Sequence, residues 1–105
     1  MRRDELAAQV QIHAETIGRY EAIGLWNAAA PDRLARLQRI VVLEALGFSL
    51  DQIVRALHSG VSSEQLRGML RYRQCVDPAF DAAGLAARID QLEQLEKLPL
   101  DSHTA

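Results

Sequence analysis

The sequence predicts an all-α fold, and three observations carry that expectation. No segment sustains the period-two alternation of a half-buried strand, and β-branched residues are sparse apart from Ile40-Val41-Val42. Apolar residues instead recur at helical spacing. Two Ser-x-x-Gln patterns, at Ser49 to Gln52 and at Ser62 to Gln65, have the form that opens helices. Five or six helices account for the chain.

The first is predicted over about Arg3 to Val10, with Leu6, Ala7 and Val10 on one face. The second covers about Ala14 to Ile23 and turns Ile17, Tyr20 and Ile23 inward. Only Gln11, Ile12 and His13 separate the two, so they must cross steeply as a helix-turn-helix pair, with Ile12 plugging the corner. Gly24 ends the second helix as a left-handed residue. The third starts near Pro31, a favoured first-turn residue, with Asp32 at its positive end. Its stripe is Leu34, Leu37, Ile40, Val41 and Leu46, and Gly47 stops it. Ser49 opens the fourth, which runs through Ile53, Val54 and Leu57 to Gly60. Ser62 opens the fifth, with Leu66, Met69 and Leu70 apolar. It breaks at Val76-Asp77-Pro78, because a proline disfavours helix in the residue before it.

The last helix is predicted from about Ala79 to Leu98. Leu85, Ile89, Leu92, Leu95 and Leu98 form one narrow seam of the kind that helix pairing uses. Its length is roughly 30 Å at 1.5 Å per residue. A head this small buries such a helix poorly, so the seam is read as a coiled-coil dimerisation surface of a homodimer. The alternative is that it folds back on its own head. The domain reading is a helix-turn-helix head at 1–60, a hinge and dimerisation helix at 61–100, and a disordered tail at 101–105.

Net charge is −2, unevenly spread. Residues 1–73 hold ten arginines against eight acids, while 74–105 hold two basic residues against six acids. All basic residues of the front part are arginine, the side chain suited to bidentate phosphate and base contacts. A weakly basic head is compatible with DNA binding without requiring it, since ordinary solvated faces look the same. Cys75 is the only cysteine, so no intrachain disulfide can form, and a reducing cytoplasm is expected. No apolar run is long enough for a membrane span, and Met1-Arg2-Arg3-Asp4 leads into no signal-peptide core.

The motifs that carry a function are Glu5-Leu6-Ala7, then Thr16-Ile17-Gly18-Arg19-Tyr20-Glu21 and Gly24-Leu25. Downstream come Leu34-Ala35-Arg36-Leu37 and Leu46-Gly47-Phe48-Ser49-Leu50-Asp51-Gln52-Ile53. In this order they resemble the head of MerR-family regulators, which typically reads E-L-A, T-I-R-Y-Y-E, G-L, D-L-x-R-L and L-G-F-S-L-E-E-I. The likeness covers about residues 3–58, and 61–98 resembles more loosely the family's hinge and antiparallel dimerisation helix. It implies a cytoplasmic bacterial protein that binds double-stranded promoter DNA as a two-fold homodimer, with 14–23 in the major groove and a contact with RNA polymerase. A short exposed helix after a tight turn can enter the groove, and its N-terminal amides can meet phosphate. Arg19 is the best candidate for a base or phosphate contact, and Thr16, the Tyr20 hydroxyl, Gly18 and His13 complete the candidate interface. Tyr20 as plain core, and Arg19 paired with Glu15 one turn earlier, are the competing structural readings.

Three departures from the family pattern stand out. The family's first recognition arginine falls on Gly18. Gln11 replaces a frequent turn glycine, and His13 replaces the usual Ser or Thr cap. The arginine-rich β-hairpin wing is missing, because Trp26-Asn27-Ala28-Ala29-Ala30 is too short for two strands. Fewer phosphate contacts should weaken binding and flatten its salt dependence. Trp26 either lies half-exposed where a wing would pack or, the favoured reading, caps the core. Cys75 lies near the region where metal-sensing relatives place thiolates. With no partner, and with His58 and His103 at no ligand spacing, it is read as an ordinary buried thiol, with no metal. Neither a nucleotide-binding glycine loop nor a nucleophile-base-acid pattern occurs, so no cofactor, bound effector or enzymatic activity is expected.

Overall fold

The computed structural model describes residues 3–27, 29 and 32–97. Among them are six α-helices and no strand: α1 (Arg3–Val10), α2 (Ala14–Ala22), α3 (Arg33–Ala45), α4 (Leu50–Ser59), α5 (Ser63–Val76) and α6 (Ala83–Lys97). Pro31, Leu98 and the tail 101–105 lie outside the described residues.

Helix α3 is the central rod. It packs against α1, α4 and α6, and its Leu37, Ile40, Val42 and Leu43 are buried on several sides. Leu6 and Val10 from α1, Ile17 and Tyr20 from α2, Ile53 from α4 and Leu66 and Leu70 from α5 complete one core. Ile12 is half-buried against it, at the corner of α1 and α2.

Local rules set most boundaries. Ser49 and Ser62 each accept a bond from the amide three residues on, and Gln52 and Gln65 each reach back to the serine amide. These reciprocal bonds satisfy donors that a helix start leaves open. Past α2, Gly24 lies at φ +75°, Leu25 N donates to Tyr20 O and Gly24 N to Glu21 O. That pair of bonds closes the helix end around a left-handed residue. Gln11 takes the same role after α1, at φ +62°, with Ile12 N donating to Ala7 O.

Two expectations need correction at element ends. Ile23 does not face the core; it is 50% exposed, because α2 stops at Ala22 and Gly24 turns the chain away. The last helix starts at Ala83 rather than Ala79. The Asp77 carboxylate accepts from Ala79 N and the Asp81 carboxylate from Ala83 N, which holds 77–82 in turns.

The largest correction concerns α6. Rather than standing away from the head, it lies along α3 and α5, with Leu85, Ile89 and Leu92 buried within the single chain. Leu95 is half-buried. The radius of gyration, 13.8 Å, is near the roughly 13 Å of a compact chain of this size. The seam is apolar because it completes a core that α1 to α5 leave open. Polar contacts fix its register: Arg67 binds Asp90 and Glu93, Arg39 binds Glu96, and Gln38 Nε2 donates to Gln91 Oε1 at 2.7 Å. Residues 61–97 therefore form one body with the head. No helix among the described residues is long and apolar enough to cross a membrane.

Candidate nucleic-acid interface

Helix α2 is held from beneath. Ile17 and Tyr20, one turn apart, bury its inner side, and α1 is its main packing partner among the described helices. His13 occupies the N-cap in an extended conformation, with an exposed side chain that makes no capping bond. Thr16 N donates to the His13 carbonyl at 3.0 Å, so the first turn closes through backbone alone. On the outer side Glu15, Arg19 and Ala22 are exposed, while Thr16 and Gly18 are half-buried.

Arg19 does not pair with Glu15. Its Nη2 donates to both carboxylate oxygens of Glu44, in the last turn of α3, at 3.2 and 3.3 Å. Its guanidinium also lies over the Tyr20 ring, 5.4 Å from the centroid. The Arg19 side chain nevertheless keeps 55% of its surface open. Tyr20 is core, as one reading had it, but its hydroxyl is committed: it donates to Glu44 at 2.7 Å. Burial and then the neighbouring Glu44 carboxylate push the phenol up to about 12. A cluster of Arg19, Tyr20 and Glu44 thus ties α2 to the end of α3. Glu44 was absent from the sequence-based interface, because only the fold brings it within reach of Arg19.

The remaining arginines clarify the charge pattern. Arg88, on α6, donates to the Val10 and Gln11 carbonyls at the end of α1. Arg36 Nε donates to Leu25 O just past α2, and Arg73 Nη1 to Leu46 O at the end of α3. A cation at a helix carboxyl end satisfies open carbonyls and opposes the negative end of the macrodipole. With Arg39 and Arg67 tied to acids of α6, five arginines serve the fold, four of them from the basic front part.

Trp26 is buried and donates through Nε1 to Arg33 O at 2.8 Å, so it caps the core, as the favoured reading had it. Cys75 is exposed, contrary to the expected buried thiol, since α5 turns its last-turn side chains outward. In the same last turns of α5 Tyr72 is 70% and Val76 59% exposed, and Tyr72 lines a groove with Leu46, Phe48 and Met69. No group of three His, Cys, Asp or Glu among the described residues could hold a metal ion.

Comparison of the chain with protein-family models, with curated proteins and with solved structures finds no match.

Proposed function

We propose that the chain is a DNA-binding transcription regulator of the MerR type, with α2 entering the major groove of promoter DNA. The observation that carries this reading is the geometry of α2: it leaves a tight three-residue corner with its inner side pinned and Arg19 exposed on the outer side. Helix-turn-helix proteins present base-reading side chains from such a helix. Arg19 is the contact to base or phosphate, supported by His13 and Thr16 at the helix start. Action as a homodimer and a contact with RNA polymerase belong to the same proposal. With Leu85, Ile89 and Leu92 occupied within one chain, pairing two heads requires exchange of α6 or use of another face.

Fluorescence anisotropy tests this on labelled duplexes enriched from a randomised pool, at two salt concentrations. Arg19→Ala is expected to weaken binding by about 1–3 kcal/mol, the range for losing a base-reading arginine. No binding at low salt, or binding indifferent to Arg19→Ala, overturns the reading.

A second reading is favoured by the arginine bookkeeping. Five arginines hold the fold, a carboxylate neighbours Arg19, and no hairpin occurs among the described residues. A chain that kept the head and acts through protein or small-ligand contacts fits those facts, with the exposed Tyr72 and Val76 as its contact surface. Co-purification with a winged relative, without any DNA shift, distinguishes it.

A further inference from the structure

We infer that Glu44 is an internal competitor for the DNA phosphates and bases, setting affinity by holding Arg19 on the protein. The inference rests on the DNA-binding reading above. Both Glu44 oxygens accept from the same Arg19 nitrogen, at 3.2 and 3.3 Å, and one of them also accepts the Tyr20 hydroxyl at 2.7 Å. The pair is open to solvent, with 55% of the Arg19 and 38% of the Glu44 side-chain surface exposed. An exposed ion pair of this kind is weak, so Arg19 can leave it.

Leaving is opposed for two physical reasons. Glu44 lies in the last turn of α3, where the helix end is already negative, and a carboxylate there is disfavoured without a cation beside it. Once Arg19 reaches a duplex, that carboxylate also faces phosphates at close range. The Tyr20 hydroxyl remains bonded to it but brings no charge. The cost of uncovering Glu44 is therefore subtracted from whatever Arg19 gains on DNA. The tether is not a general property of the outer face of α2: it acts on the single guanidinium presented there, and neither His13 nor Thr16 bonds to Glu44.

The experiment is a double-mutant cycle of full chains on the enriched duplex at low salt: parent, Glu44→Gln, Arg19→Ala, and both together. Glutamine keeps an acceptor for the Tyr20 hydroxyl, and circular-dichroism melting confirms that each chain is folded. Glu44→Ala serves as a second variant without that acceptor. Glu44→Gln is expected to bind about 3- to 10-fold tighter, the scale of releasing one exposed ion pair and one nearby anionic charge. With alanine at position 19 the gain should fall to the smaller part that direct repulsion between Glu44 and phosphate supplies, since only the part that acts through Arg19 disappears with it. Unchanged or weaker binding by both Glu44 variants overturns the competition while leaving the DNA-binding reading intact. So does an equal gain in the Arg19→Ala background, which signifies uniform charge repulsion. Absence of binding by every chain overturns the DNA-binding reading, and the competition falls with it.

Discussion

Gln11 carries a left-handed backbone, φ +62°, at the corner of α1 and α2, whereas the other such described residues, Gly24, Gly47 and Gly60, are all glycine. A side chain there crowds the following carbonyl, at roughly 1–2 kcal/mol, and part of that is recovered because glycine is looser when unfolded. Gln11→Gly is therefore expected to stabilise the chain by about 0.5–1 kcal/mol, read as a higher denaturant midpoint at unchanged slope. Arg88 binds the backbone carbonyl of Gln11, not its side chain, so the substitution leaves that contact in place. Tyr20 gives a second residue-scale prediction. Its phenol titrates near 10.0 when unfolded and about 12 when folded. Stability from this group is complete below pH 10 and is lost as pH rises towards 12, by on the order of 2 kcal/mol. Tyr20→Phe should flatten that alkaline decline. An equally steep decline in the variant would show that Tyr20 is not its source.

At the scale of elements, what was legible in the sequence is what is local. The capping boxes at Ser49 and Ser62 join residues three apart, so their partners are visible in any window of the chain. The start of α6 was misplaced although its signal was present: Asp81 is an ordinary cap residue, and Asp77 with Pro78 favours a turn. The fate of the α6 seam was not legible. Spacing shows that one side is apolar but cannot show what covers it. The covering surface comes from α3 and α5, which only the fold brings against α6. Ile89 is fully buried there, and Ile89→Ala is expected to cost about 2–5 kcal/mol of global stability, checked by urea unfolding. A change below about 1 kcal/mol would mean that α6 detaches without disturbing the head.

Across the whole molecule, charge was the feature that sequence treated most coarsely. A surplus of arginine over acid in the front part is compatible with an anionic partner and equally with ordinary solvated faces. In the folded chain Arg73 and Arg88 bind carbonyls at the ends of α3 and α1, Arg36 binds the Leu25 carbonyl just past α2, and Arg39 and Arg67 hold α6. Each of those partners lies 11 to 78 positions away, beyond the reach of periodicity or motif. The same distance hid Glu44 from the candidate interface, 25 positions from Arg19. The helix-turn-helix corner was legible because α1, the turn and α2 are contiguous. The electrostatic surroundings of α2 were not, because three-dimensional neighbours create them.

The bond from Arg88 to Val10 has a temporal side as well. The two residues are 78 positions apart, so during translation the first helix emerges long before its guanidinium clasp exists. At about 5–20 residues per second, ribosomes need roughly 4–16 s to cover that stretch. Throughout that interval the nascent amino-terminal corner has exposed carbonyls and an unfinished apolar wall, and it reaches its mature form only when the sixth helix arrives to close it.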